Sequence, residues 1–264
     1  MILIDSVSFS YPNSSGPAVN KLFLKIAEKS RVLISGPGGS GKTTFCKLLK
    51  GLIRPSCGHV VFNSPICFAA VAYLSGDPYD SFVGASVEED IVFGMENQGV
   101  AREEMAKRLH LALESTGLQG MEDRLVHTLS GGEQQKLALA GALAAGARIL
   151  ILDEALNMLD RPLRTQIRSL LQKLQEDPGL TIIEVTHDLE IATGADKIVF
   201  FSGGSIIFDG SYSDFSSFAS GRTWREWSDN LELLKQELYI RDIHVQDCTS
   251  NSRLSECFTR VEKK

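Results

Sequence analysis

Apolar positions along this chain fall into two patterns, short unbroken runs and stripes at helical spacing, and the two alternate. Arg31–Ser35 is a short apolar run ending in a glycine cluster, which predicts a buried strand. Residues 42–52 then place Phe45, Leu48, Leu49 and Leu52 on one helical face, with Gly51 near the end. Residues 59–62 form a short strand candidate. Between 87 and 146 the character changes. Residues 103–116 set Met105, Leu109, Ala112 and Leu113 at amphipathic spacing, and a second helix is expected over 133–147, so the stretch reads as a mostly helical lobe. Strand character returns at 148–152 and closes on Asp153 and Glu154. A helix follows Pro162, tolerated in a first turn, with Leu163, Ile167, Leu170, Leu171 and Leu174 on one face. Thr181–Val185 is a further strand, and 197–201 with 205–208 flank Gly203 and Gly204 as a hairpin. After Tyr212 the signal weakens. Trp224 and Trp227 near Leu231, Leu233 and Leu234 allow a helix or two, and the tail from Gln246 is polar.

Strands alternating with helices around an inserted helical segment predict an α/β fold with a largely parallel central sheet. A length of 264 residues fits one core with elaborations. The net charge of −6 argues against nucleic acid as main partner, because duplex affinity comes largely from neutralising phosphates. Five cysteines form no C-x-x-C pair, so reduced thiols are expected rather than a zinc or disulfide framework. The N-terminus, Met-Ile-Leu-Ile-Asp, lacks the basic and apolar regions of a signal peptide, and no uncharged apolar run approaches about 18 residues. A cytoplasmic chain is expected, held at a membrane only through a partner.

The chemistry is concentrated in a few motifs. Gly36, Pro37, Gly38, Gly39, Ser40, Gly41, Lys42 and Thr43 fit G-x-x-x-x-G-K-[ST] between a strand and a helix, and Thr44 follows. Glycines let backbone N–H groups converge on a phosphate, and the helix N-terminus adds partial positive charge. Lys42 is then expected on the β- and γ-phosphates of ATP and the Thr43 hydroxyl on Mg²⁺. Asp153 and Glu154 at a strand end suit a Mg²⁺-facing carboxylate followed by a general base for the attacking water. Ser130 is a natural N-cap, with Gly131, Gly132 and Glu133 behind it, which reads either as a capped helix start or as a second phosphate-contacting terminus. His187, after an Ile- and Val-rich strand, is either structural or within reach of a γ-phosphate. Tyr11, before Pro12, is either packing or a stacking platform for adenine.

In this order and spacing, the motifs resemble the nucleotide-binding subunits of ABC transporters over about residues 1–211. The resemblance implies a P-loop NTPase (RecA-like) core with N-terminal antiparallel β elements and an inserted α-helical subdomain. It divides residues 1–211 into an α/β core at 1–76 and 147–211 and a helical subdomain at 77–146; beyond it, 212–264 reads as a helical extension that either supplies a dimer contact through Trp224, Trp227 and the leucines around 231–234 or packs on the chain's own core. It assigns Tyr11 to adenine, residues 36–44 to the phosphates, Asp153 to magnesium, Glu154 to the catalytic base and His187 to the γ-phosphate. Residues 129–133 become the family signature, acting in trans on the nucleotide of a second ATPase subunit, and Asp160 belongs to the loop crossing the dimer.

The stretch from Val83 to Asn97 narrows the resemblance to the ATPases of energy-coupling factor importers, which take up vitamins or cobalt and nickel ions. That implies an integral membrane coupling subunit, a separate substrate-binding membrane subunit and a place on the cytoplasmic face of the membrane. The chain departs from the pattern at Gly76, where the family carries a glutamine that senses Mg²⁺ and relays closure, and also at Gly38, Ala155 and Asn157. These departures keep a second reading open, a weakly hydrolysing, nucleotide-gated partner in a heterodimer. A third is a soluble ABC ATPase.

Overall fold

The computed structural model describes residues 1–215 except 15, 64–67, 78, 158, 177–178, 188–191 and 193. From residue 216 onward the expected helical extension, with its two tryptophans, lies outside the described residues.

Two sheets are present. The larger takes β3 (Arg31–Ser35), β5 (Val71–Ser75), β6 (Ile149–Asp153), β7 (Thr181–Val185), β8 (Lys197–Ser202) and β9 (Ser205–Gly210), in the spatial order β5-β6-β7-β3-β8-β9. Every pairing in it is parallel except the β8–β9 hairpin. The smaller sheet pairs β1 (Ile2–Phe9) antiparallel with β2 (Val19–Ile26) on one side and β4 (Cys57–Phe62) on the other. Every residue of β3, β6 and β7 is buried. Their lack of an apolar–polar alternation follows from that, because a parallel strand covered on both faces has no solvent side to make polar.

Helix α1 (Lys42–Lys50) lies between the two sheets. Phe45, Cys46, Leu48 and Leu49 share one buried cluster with Ile2, Ile4, Leu22 and Ile26 of the small sheet and Val32, Ile34, Ile151 and Phe201 of the large one. The helix stops at Gly51 in the left-handed conformation, whose N–H returns to the Leu48 carbonyl. Leu52, expected on the apolar face, therefore lies beyond the cap and is exposed. The opposite face of the large sheet is covered by α5 (Arg161–Glu176), through Ile167 and Leu171, and by Leu139 of α4 (Gly131–Ala144).

Helices α2 (Val87–Glu96) and α3 (Arg102–Thr116) pack with α4 around a separate cluster of Val87, Ile91, Met95, Leu113 and Leu137. Helix α4 thus belongs to two cores, which fixes the helical segment against the sheet. It ends earlier than its apolar pattern suggests, because Ala145 caps it and Gly146 turns the chain. Beneath the edge of the large sheet that carries the site, buried Glu184 of β7 accepts from the Arg31 guanidinium at 2.9 Å and from Arg168 at 3.4 Å. This joins β3, β7 and α5 through charge as well as packing.

Candidate functional site

The glycine loop leaves β3 and enters α1 at the carboxyl edge of the parallel strands, where open α/β sheets bind their ligands. Gly36 has φ of 142°, and a side chain there would meet the Phe201 carbonyl. The loop can therefore lie this close to β8 only as glycine. Gly41 is the N-cap of α1, itself left-handed, with no side chain to occupy the helix N-terminus. The Ser40 N–H donates to the Pro37 carbonyl, and the Gly204 N–H of the β8–β9 turn donates to the Ser40 carbonyl at 3.1 Å. The loop is held from two sides.

Lys42 is buried and donates to the Gly36 carbonyl at 2.7 Å and the Pro37 carbonyl at 2.8 Å. Burial lowers its pKa, while the nearby carboxylates of Glu154 and Asp153 act in the opposite direction. Ser40 Oγ is buried and has no hydrogen-bond partner among the described residues. Thr43 is exposed, so its hydroxyl is free to face a ligand, whereas Thr44 is buried, with Oγ1 3.4 Å from the Tyr11 hydroxyl. The Tyr11 ring stands edge-on to Phe9 at 4.9 Å and is partly exposed beside the loop.

Across from the loop, β6 ends on Asp153 and Glu154. Asp153 is buried. Its Oδ2 accepts from the Tyr73 hydroxyl at 2.8 Å, and its Oδ1 has no partner among the described residues. Burial first, and then this hydrogen bond, push the Tyr73 phenol far above its ordinary range, so it remains a donor. Glu154 turns out of the strand with φ of 56°, an unusual conformation for glutamate, and its N–H donates to the Val185 carbonyl at 3.1 Å. The turn brings its carboxylate to 3.1 Å from His187 Nε2. Burial and the positive charge of Lys42 lower the His187 pKa despite Glu154, so the ring is neutral at pH 7.

The structure therefore gathers the loop, Asp153, Glu154 and His187 along one edge, with Tyr11 beside the loop. It does not bring the 130–133 segment to them. Ser130 caps α4, accepting from the Glu133 N–H and donating its hydroxyl to the Glu133 carboxylate at 2.8 Å. That carboxylate also accepts from the Ser130 N–H and from Arg124, and these bonds lower its pKa. Gly132 faces Leu163 of α5 so closely that a side chain would collide with it. Asp160 caps α5 through the Leu163 N–H at 2.9 Å and is exposed.

Two residues escaped sequence reasoning. One is Tyr73, the donor to Asp153. Gln135 of α4 donates to the Ser75 carbonyl at 3.2 Å and the Gly76 carbonyl at 3.3 Å, clamping the end of β5. Gly76 itself lies against the Glu154 backbone, where a first side-chain carbon would be 3.4 Å from the Glu154 carbonyl oxygen. Spacing along the chain does not reveal such contacts, since Tyr73 and Asp153 are eighty residues apart and Gln135 reaches back sixty.

A phosphate-cradling loop after β3 and an acid pair at the end of β6, two strands away on the same sheet edge, on this two-sheet core, define an ATPase of the ABC class. The family model described as ABC transporter matches residues 19–157, and the chain belongs to that family. Within it, the chain is similar to the energy-coupling factor transporter ATP-binding protein EcfA1 of Lactobacillus delbrueckii subsp. bulgaricus, with 37% identity over 221 residues, covering 80% of this chain and 78% of that one. The protein of the same name from Enterococcus faecalis is 35% identical over 220 residues, covering 80% and 79%. Among solved structures, cbiO1 of Clostridium perfringens, described as part of the ABC transporter complex cbiONQ, superposes with a TM-score of 0.74 at 27% identity, covering 91% of this chain and 98% of that one. A dimeric ATP-binding cassette in a post-hydrolysis state with ADP and Pi gives a TM-score of 0.68 at 26% identity, covering 80% and 99%.

Proposed function

We propose that this chain is the ATP-binding and hydrolysing subunit of an energy-coupling factor importer, with Lys42, Asp153, Glu154 and His187 as its working residues. The observation that carries this reading is the unmet hydrogen bonding at the site: among the described residues, Ser40 Oγ and Asp153 Oδ1 are both buried and unpartnered. Such atoms are costly unless a ligand completes them. A triphosphate supplies oxygens to Ser40, Lys42 and the loop N–H groups of residues 36–44. A hard divalent cation suits the free carboxylate oxygen of Asp153 and the exposed Thr43 hydroxyl. Mg²⁺ bound there would neutralise phosphate charge as it develops.

Each side chain then has a defined task. Lys42 exchanges its two loop carbonyls for phosphate oxygens. Glu154 orients the attacking water and accepts its proton. Neutral His187 has a single ring N–H, which holds the Glu154 carboxylate here and passes to the terminal phosphate when nucleotide binds. Tyr11 stacks on the adenine.

Ser130, Gly131, Gly132 and Glu133 act in trans, on the nucleotide of a second ATPase subunit, with Asp160 in the loop that crosses between them. Support for the trans role is that the signature lies on the surface, bonded within its own helix. The remaining partners are an integral membrane coupling subunit and a substrate-binding membrane subunit, reached from the cytoplasmic face. Exposed Tyr79, Val83 and Phe93, following Gly76, offer an apolar surface for the coupling subunit. Among the described residues no helix is long and apolar enough to cross a membrane.

The test is the ATPase rate of the purified chain, wild type beside Glu154→Gln, over a wide range of protein concentrations. Turnover should rise with concentration, as a two-subunit site requires, and the variant should be slower by roughly 10²–10⁴-fold, the range for loss of a general base. Wild-type turnover in the variant would remove Glu154 from this role. A second reading is favoured by Gly76, which withholds a side chain from the space beside Glu154: a nucleotide-gated partner whose own turnover is weak. Tight ATP binding with negligible hydrolysis at every concentration would select it.

A further inference from the structure

One polar group touching the strand-end acids has no part in the roles above, the Tyr73 phenol. Its ring packs against the main core cluster, and its hydroxyl donates to Asp153 Oδ2 at 2.8 Å. The strand register explains the contact. Parallel pairing of β5 with β6 puts Tyr73 opposite Ile151 and Ser75 opposite Asp153. Alternate residues share a face, so Tyr73 and Asp153 stand diagonally on the same one. The strand is pinned at both ends, by the Lys50 ammonium on the Val71 carbonyl at 2.6 Å and by Gln135 on the Ser75 and Gly76 carbonyls.

A carboxylate with no donor has two equivalent oxygens and turns freely between them. Here the phenol removes the equivalence: Oδ2 is satisfied and Oδ1 alone is left without a partner. Three residues further on, Gly76 has no side chain with which to reach the site, so a link from β5 to the metal side must come from within the strand itself. We propose that Tyr73 is a positioning residue for the magnesium carboxylate, locking Asp153 so that Oδ1 faces the metal and coupling β5 and the Gly76 loop to its binding. This rests on the reading of Asp153 as the magnesium ligand given above.

The experiment uses the full chain and two variants without the donor, Tyr73→Phe and Tyr73→Leu, each checked for a cooperative melt. ATP binding is titrated at graded MgCl₂ and again in EDTA, and Mn²⁺ binding in the presence of ATP is followed by electron paramagnetic resonance. Loss of the phenol should raise the metal concentration at half-saturation by roughly 10–100-fold, the range for groups that orient a metal ligand. The affinity for ATP in EDTA should stay at the wild-type value. A folded Tyr73→Phe with wild-type metal dependence overturns the proposal while leaving the ATPase reading intact. So does an equal loss of ATP affinity with and without metal, which would mark Tyr73 as packing. A wild-type chain whose ATP binding ignores Mg²⁺ would overturn both.

Discussion

The phosphate side and the signature side of this molecule are built from the same materials, glycines, serines and a carboxylate, yet they treat their polar atoms in opposite ways. On the phosphate side, Ser40 Oγ and Asp153 Oδ1 are buried with nothing to bond among the described residues, and Lys42 is held by two carbonyls of its own loop. On the signature side, Ser130 and Glu133 satisfy each other in a closed capping box at an exposed helix start, with Arg124 beyond. A buried group left unmade costs about 1–3 kcal/mol, which a ligand can return, whereas an exposed turn has water as an alternative partner. The first side is thus incomplete without nucleotide. The second is complete alone and is presented outward, as suits a surface that acts on another subunit.

This contrast can be broken by substitution. The largest effect is expected from Lys42→Ala, which removes hydrogen bonds from a charged donor worth about 1.5–3 kcal/mol and should weaken ATP binding roughly 10–100-fold in an equilibrium titration. An unchanged affinity would mean that the loop is not the nucleotide site. Ser130→Ala should behave differently. Losing the N-cap should lower stability by about 1 kcal/mol in a denaturant melt. ATP affinity at dilute protein should stay at the wild-type value while turnover falls. If it weakened binding as Lys42→Ala does, the division between the two sides would collapse.

The smallest expected effect concerns pH. His187 has a folded pKa below its ordinary 6.5, since burial and Lys42 outweigh Glu154. The unfolded chain therefore takes up a proton first on acidification, and stability falls as pH drops through 6.5 toward the lower folded value, the loss being complete below both. Melting at about pH 7.5 and about pH 5.5 should show a larger acid loss for wild type than for His187→Gln. Equal losses would show that His187 is not held neutral.

The strands legible in the sequence are those buried on both faces. Arg31–Ser35 and Thr181–Val185 are found where their Ile- and Val-rich stretches place them. Strands β1 and β2 were anticipated only through the family resemblance, because their apolar residues alternate irregularly across the register shifts at Ile4, Val7 and Phe9. Helix α2 was hidden inside a stretch read only as generally helical. Its capping box, Ser86 with Glu89, is a recognisable start signal that the apolar pattern did not emphasise. At the site, residues adjacent to glycine motifs could be named from the sequence. Tyr73 and Gln135 could not, since what gives each its place is strand register or helix docking between distant parts of the chain.

The left-handed turn at Glu154 carries one more consequence. Glycine adopts that backbone freely, while glutamate holds it at a cost of about 1–3 kcal/mol. Over generations, the position is therefore a place where robustness and usefulness pull apart. A lineage rewarded only for surviving heat would gain by trading the carboxylate for a hydrogen atom, and, on the role proposed for Glu154, its descendants would keep the shape of this protein after they had stopped consuming ATP.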